Sequence, residues 1–212
     1  LTGSLAACYL RSRSITRVSD LPALRFHPRC FYRPNEDDVP GIPGAFPAMI
    51  AAVSDNDGVQ TGTHRTWLDP TGVKKAEVAS PRRAMGNILG NAVRFGQAND
   101  VLIAGEGIET MLSLVEAVPG LPVWAALSSG HLGAVLLPEG VQRLYIAIDR
   151  DPAGQRAAER LSARASEVGI AVWVLEPRLG DFNDDLRANG KEALRQHLAG
   201  QIGPEEWHRL TG

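Results

Sequence analysis

The residues best suited to chemistry in this sequence are four carboxylates, each following a short apolar run. Glu106 lies in Gly105-Glu106-Gly107, Asp149 and Asp151 lie in Asp149-Arg150-Asp151-Pro152-Ala153-Gly154, and Asp181 lies in Gly180-Asp181-Phe182-Asn183-Asp184. Carboxylates brought close together repel, and each favours its protonated form unless a cation sits among them. A hard divalent ion, Mg²⁺ or Mn²⁺, resolves that repulsion. Mg²⁺ takes oxygen ligands, keeps several waters, and is commonly held by one or two carboxylates together with substrate phosphates. A plainer role competes with this one, because Asp ahead of a helix is a frequent N-cap, and Asp149 and Asp181 both precede helical patterns.

Other reactive residue types are scattered. His27, His64, His131, His197 and His208 have no His-x-x-x-His spacing, and Cys8 and Cys30 are the only cysteines, so no zinc site is expected within this chain. Two cysteines also fit a reducing, cytoplasmic setting. The basic and aromatic run Arg25-Phe26-His27-Pro28-Arg29-Cys30-Phe31-Tyr32 is read as a packed strand with polar edges in preference to a stacking surface for single-stranded bases. Ser128 and Ser129 precede His131 without the strand-elbow pattern of a nucleophile and are read as a helix cap.

The elements that must position the carboxylates follow from periodicity. Val101–Ala104 is a short apolar run, and Ile108, Met111, Leu112, Leu114, Val115 and Val118 recur at helical spacing after it. Pro122–Leu127 reads as a second strand, followed by a helix from His131 to Leu137. Leu144–Ile148 reads as a third, followed by the amphipathic stretch marked by Ala157, Ala158, Leu161, Ala165 and Val168. Ile170–Leu175 supplies a fourth, with Asp181 in the loop beyond it and short helices ending near Leu210. Four strands alternating with helices predict a parallel sheet with helices on both faces. In such sheets the working edge lies outside the carboxyl ends of the strands, where all four carboxylates fall.

The chain has 212 residues, 44% hydrophobic and 22% charged, which excludes a disordered or fibrous protein, and no run of about 18 apolar residues predicts a membrane span. It begins with Leu1 and lacks a secretory signal pattern, so it is read as a piece of a longer chain. Residues 1–100 carry 12 Lys+Arg against 9 Asp+Glu, and residues 101–212 carry 10 against 15, so a net of +3 is followed by a net of −5. That division suits a polyanion-binding surface beside a cation-binding one.

Gly105-Glu106-Gly107 after one strand and Asp149-Arg150-Asp151-Pro152-Ala153-Gly154 after another resemble the Toprim domain of primases, type IA and type II topoisomerases, OLD-family nucleases and RecR-like recombination proteins. Ala126–Leu132 resembles the segment between the two acidic motifs of primases, and Gly180–Asp184 resembles their later acidic motif. One departure stands out: many primases carry an Asp four residues after the motif glutamate, where this chain has Thr110, preceded by Glu109. The resemblance implies Glu106, Asp149 and Asp151 as catalytic residues and Glu106, Asp149, Asp151 and Asp181 as metal ligands, with Glu106 either a ligand or a proton acceptor.

The first half narrows the resemblance to primase cores. Pro47–Val53 and Val59–Leu68 are β-rich runs joined by Asp57-Gly58, a strong hairpin signal, and Asp69-Pro70-Thr71-Gly72 leads into a further arm, Val73–Val78. Ser80-Pro81-Arg82-Arg83 and the apolar Ala92–Gly96 follow. This order is similar to the small α/β subdomain ahead of Toprim in bacterial primases. The division expected is therefore a basic subdomain over 1–98 and a Toprim domain with C-terminal helices over 99–212. By this resemblance Arg65, Lys74, Lys75, Arg82 and Arg83 are candidates to hold template phosphates or an incoming nucleoside triphosphate. The function implied is RNA-primer synthesis on single-stranded DNA, in the cytoplasm and in a mobile-element setting, with a replicative or fused helicase as partner. A Toprim nuclease and a non-catalytic, metal-bridged nucleic-acid module are the alternatives. A topoisomerase would need a nucleophilic tyrosine, and Tyr9, Tyr32 and Tyr145 lie in no such setting.

Overall fold

A computed structural model describes residues 1–19 and 21–211. Helix α1 (Leu5–Ser12) comes first, followed by strands β1 (Leu24–Phe31), β2 (Ala45–Ser54), β3 (Gln60–Trp67) and β4 (Arg82–Gly86). These four form an antiparallel sheet in the order β1-β2-β3-β4. The β2–β3 hairpin turns where its residues predict: Gly58 takes φ +79°, and the Asp55 carboxylate accepts from the Asp57 and Val59 amides. Pro28 is tolerated because β1 is an edge strand whose register shifts between His27 and Cys30.

The next arm departs from expectation. Val73–Val78 does not form a strand; Lys75 makes only an isolated bridge to Leu68, and β3 pairs instead with Arg82–Gly86. Asp69 is the reason. Its carboxylate accepts from the Val73 and Lys74 amides and from the Thr71 hydroxyl, winding the segment into a turn that the apolar pattern does not reveal.

The second sheet contains β5 (Val93–Phe95), β6 (Val101–Gly105), β7 (Val123–Ala125), β8 (Arg143–Ala147) and β9 (Ala171–Leu175), in the order β5-β7-β6-β8-β9. The four alternating strands pair in parallel as predicted, while β5 adds an antiparallel edge beside β7. Helices α2 (Ile108–Ala117) and α5 (Phe182–Ala199) cover one face, and α3 (Ser129–Leu132) and α4 (Pro152–Glu167) cover the other. The helix expected over His131–Leu137 is only the short α3; α6 (Pro204–Thr211) closes the chain. All five residues of β6 are buried, as a parallel strand covered on both faces requires.

One core joins the two sheets. Met49, Ala51 and Val53 on the inner face of β2 pack with Tyr9 and Leu10 of α1, Met111 and Leu114 of α2, and Phe182 and Leu186 of α5. The outer face of the antiparallel sheet carries a separate small cluster of Cys30, Tyr32, Ala48, Trp67 and Ala76. Both cysteines are free, Cys8 exposed and Cys30 buried. Among the described residues no helix is long and apolar enough to cross a membrane.

Candidate metal and nucleotide site

Strand β6 is flanked by β7 on one side and β8 on the other, so the chain reverses direction across the sheet at the crevice between β6 and β8. Crevices of this kind are where open parallel sheets bind ligands. Glu106 leaves the end of β6, and Asp149 follows the end of β8, so they stand on its two sides. The backbone fixes both. The Ala126 and Leu127 amides donate to the Gly105 and Glu106 carbonyls at 2.9 and 2.8 Å, and Leu127 holds the left-handed φ of +78° that this connection demands. Gly105 has no room for a side chain: a Cβ there would lie 2.4 Å from the Met111 sulfur and 2.9 Å from the Ala147 carbonyl.

The Asp149 loop is equally tight. The Asp151 amide donates to the Asp149 carbonyl at 2.8 Å, and the Arg150 amide donates to the Gly180 carbonyl at 2.8 Å, stitching this loop to the one that bears Asp181. A Cβ at Gly154 would fall 2.5 Å from the Asp149 carbonyl, so the first turn of α4 approaches Asp149 only because residue 154 is glycine. The expected capping roles are redistributed. Asp151, not Asp149, caps α4 through its Oδ1, which accepts from the Gly154 amide at 2.7 Å, and Asp181 caps α5 through its Oδ1, which accepts from the Asp184 amide at 2.7 Å. Among the described residues Asp149 caps no helix, and its Oδ1 is buried without a hydrogen-bond partner.

Electrostatics marks the same rim. Burial, then the charges of Glu106, Asp181 and Asp151, push the Asp149 carboxyl from 3.8 up to about 7. Burial and Asp151 raise Glu106, and burial raises Asp181. Arg82 acts in the opposite direction on both Asp149 and Glu106. Among the described residues no three His, Cys, Asp or Glu side chains converge into a finished ligand set. An all-oxygen donor set, mutual repulsion and an unpartnered buried Asp149 oxygen nevertheless fit a hard divalent cation whose remaining ligands are water and phosphate. Soft or imidazole-seeking metals are not matched by these donors.

The five basic candidates separate onto different surfaces. Arg82 pairs with Thr66 in register, on the inner face shared with Met49, and makes no ion pair or side-chain hydrogen bond with any described residue. Lys75 also turns inward, where its ammonium lies 3.1 Å from Glu109, the two side chains being 24% and 12% exposed. Lys74 pairs instead with Glu77 on the open surface. Arg65 and Arg83 stand opposite one another on the outer face, turned away from the carboxylates.

Glu109 has a role its position near Thr110 does not announce. Burial alone would raise its carboxyl, but Lys75 and the Tyr9 hydroxyl, which donates to Glu109 Oε1 at 2.5 Å, hold it at about 2. It ties α1, α2 and the Asp69–Ser80 segment together as an ion pair. Three further residues were not singled out from the sequence. Asn183 donates to the Ser113 hydroxyl at 3.0 Å and the Arg13 carbonyl at 2.9 Å, locking the start of α5 against α2 and α1. Arg150 donates to the Arg178 carbonyl at 2.8 Å, placing two exposed arginines beside the Asp149 and Asp181 loops. Their signal was only proximity in sequence to the acidic motifs.

The family model of the Toprim domain matches residues 101–192. The chain carries a Toprim domain. Residues 1–95 match a domain of unknown function, DUF7146. Among solved structures, a DNA primase domain from Pseudomonas aeruginosa is similar at 17% identity and a TM-score of 0.59, covering 94% of this chain and 72% of the other. The primase fragment of the bacteriophage T7 primase-helicase protein is similar at 16% identity and TM-score 0.55, covering 74% of this chain and 64% of that one. The zinc-binding and RNA polymerase domains of the Aquifex aeolicus primase are similar at 18% identity and TM-score 0.52, covering 78% and 44%. This chain thus spans less than two thirds of the T7 and Aquifex chains it matches. No curated protein sequence matches. The fold ahead of and including the Toprim domain is similar to that of these primase domains.

Proposed function

We propose that this chain is a primase-like nucleotidyltransferase core that joins ribonucleotides on a single-stranded DNA template. The observation that carries the reading is Asp149: a half-buried carboxylate at the switch-point crevice whose Oδ1 has no partner among the described residues, repelled by three other acids and faced by Arg82. Mg²⁺ or Mn²⁺ held by Asp149, with Glu106, Asp151 and Asp181 contributing oxygens, would supply charge neutralisation of the triphosphate and acidification of the attacking hydroxyl. The Oδ2 atoms of Asp151 and Asp181 remain available because each cap uses Oδ1.

The chain's own residues do the rest. Arg82, whose guanidinium offers a fork of donors, orients the triphosphate from the sheet across the crevice. Lys75, already neutralised by Glu109, fixes that side of the crevice and does not compete for phosphate. Where Glu106 is not a ligand, its carboxylate at the end of β6 would accept the 3′-hydroxyl proton as that oxygen bonds to the α-phosphorus and pyrophosphate leaves. Arg82, which faces the crevice and makes no ion pair with any described residue, favours polymerisation over cleavage because it offers a cation to an incoming triphosphate. A helicase, fused or separate, is the partner this reading implies.

The test incubates the chain with single-stranded DNA, labelled ribonucleotides and Mg²⁺ or Mn²⁺, beside Asp149→Asn, and sizes the products. New labelled oligomers that vanish in the variant are expected. Shortened template without new oligomers would replace the reading by a nuclease; retained metal-dependent DNA binding without either product would replace it by a binding module.

A further inference from the structure

Two sheets leave four edges, and three of them are guarded. Strand β1 carries Arg25, Pro28 and Arg29 and shifts its register, β4 begins with Arg82-Arg83, and β5 is only three residues long and follows the Ser54–Ala92 bridge to β2. Proline, charge, irregular register and short length are the devices that keep an edge from pairing further. Strand β9 has neither charge nor proline: it reads Ala171-Val172-Trp173-Val174-Leu175, and among the described residues it pairs only with β8. Trp173 is 43% exposed and Val174 40%, on opposite faces of the strand.

The open edge is symmetric about Trp173. The Ala171 amide donates to the Gln142 carbonyl at 2.9 Å, and the Leu175 carbonyl accepts from the Ile148 amide at 3.1 Å. The odd-numbered residues thus direct their backbone groups at β8, and Val172 and Val174 turn theirs outward. Beyond Val174 the chain closes its own edge: the Gln201 side chain accepts from the Glu176 amide at 2.8 Å and donates to the Glu176 carbonyl at 3.0 Å. Before Val172, the Ile170 amide is taken by the Ala165 carbonyl at 3.0 Å. Two open residues therefore flank one central tryptophan. An antiparallel second copy centred on Trp173 uses both of them. Val172 exchanges two hydrogen bonds with Val174 of the other copy, Val174 does the same with the other Val172, and Trp173 opposes itself. No charge in the strand meets its like across this axis, whereas a charged strand from another protein would find no counter-charge in β9. Room for the second indole exists. Trp173 stacks on Tyr145 with ring centres 5.2 Å apart, beside a cavity of about 650 Å³ walled by Pro204 and Arg209 of α6.

We propose that β9 is the interface between two copies of this chain, joined antiparallel about Trp173 so that their five-stranded sheets become one continuous sheet. The carboxyl ends of β6, β8 and β9 lie toward the crevice rim, so antiparallel pairing sends the two rims to opposite sides of the joined sheet and covers neither. The pairing does not rest on the nucleotidyl-transfer reading, since it needs no metal, nucleotide or turnover.

The test is sedimentation equilibrium of the full chain in EDTA. A single short strand is an interface at the small, transient end of the range, so the protein is followed from about 10 µM to about 1 mM. The wild type is expected to pass from monomer to dimer over that span. Trp173→Lys and Trp173→Glu each set like charges directly opposite and are expected to stay monomeric, whereas an equimolar mixture of the two is expected to dimerise, because the same position then joins opposite charges. Val174→Pro removes one outward N–H from each copy and leaves the β8 ladder intact, at a place where an edge strand tolerates proline. It should weaken pairing about 30-fold through the two hydrogen bonds lost. A wild type that stays monomeric throughout would overturn the pairing and leave the edge to a strand of another protein. Dimerisation of Val174→Pro as tight as that of the wild type would overturn it too, by placing the interface elsewhere, and this variant decides the matter should the Trp173 substitutions disturb folding through loss of the Tyr145 stack. Failure of the mixture to dimerise, with both variants keeping the wild-type far-UV spectrum, would overturn the axis through Trp173.

Discussion

Replacing Asp149 by Asn should stabilise the cation-free protein while abolishing its response to divalent metal. The carboxyl titrates at about 7 in the fold against 3.8 ordinarily, because burial and the charges of Glu106, Asp181 and Asp151 oppose ionisation. Between those two pH values the folded state holds a proton that the unfolded chain has lost, so stability without metal is greatest at the acid end. It falls as the pH rises through about 7. At 1.36 kcal/mol per pH unit the full gap is about 4 kcal/mol, and solvent screening at this partly open rim reduces it to about 2 kcal/mol. For a chain of this size that corresponds to a rise of about 4–8 °C in Tm for Asp149→Asn at pH 8 in EDTA. Adding Mg²⁺ or Mn²⁺ should raise the Tm of the wild type at pH 8 more than at pH 6, and leave the variant unmoved. Scanning calorimetry of both proteins at the two pH values, with and without metal, reads all of these terms. A variant less stable than the wild type in EDTA at pH 8, or equally stabilised by metal, would refute the repulsion on which the site rests.

Lys75→Ala should cost about 3 kcal/mol by urea denaturation, because it leaves Glu109 buried and unpaired, whereas Lys74→Ala should stay within about 0.5 kcal/mol since its partner Glu77 is in solvent. Gly154→Ala should cost about 1–3 kcal/mol and weaken metal binding, because the added methyl can be accommodated only by moving the Asp149 carbonyl. Arg82→Ala, at an exposed position, should leave Tm nearly unchanged while weakening nucleoside triphosphate binding about tenfold, measured by calorimetric titration.

The Toprim half was the more legible part of the sequence because its strands are buried on both faces and read as unbroken apolar runs, with the acids at their carboxyl ends. The switch point between β6 and β8 was not legible, because parallel pairing alone does not fix the strand order that creates it. What periodicity could not convey is which carboxylate caps a helix: Asp149, Asp151 and Asp181 all precede helical patterns, and only the fold leaves Asp149 without an amide to accept from. The first half was less legible. Asp69 turns the Val73–Val78 segment by hydrogen bonds that an apolar pattern does not encode, and β4 therefore begins at Arg82. That placement decides the fate of the basic residues. Successive strand residues face opposite ways, so Arg82 looks into the crevice and Arg83 away from it, although they are neighbours in sequence. Glu109 and Lys75 are 34 positions apart in sequence, too far for local spacing to show that they neutralise each other.

A divalent-cation site formed by the carboxylates around Asp149 and faced by Arg82 can be titrated directly. The most direct measurement is a Mn²⁺ titration followed by electron paramagnetic resonance, on the wild type, Asp149→Asn and Arg82→Ala, with and without a nucleoside triphosphate. Mn²⁺ should bind the wild type, bind more tightly with triphosphate, fail to bind Asp149→Asn, and bind Arg82→Ala without the gain from triphosphate. Equal Mn²⁺ binding by the wild type and Asp149→Asn would contradict it.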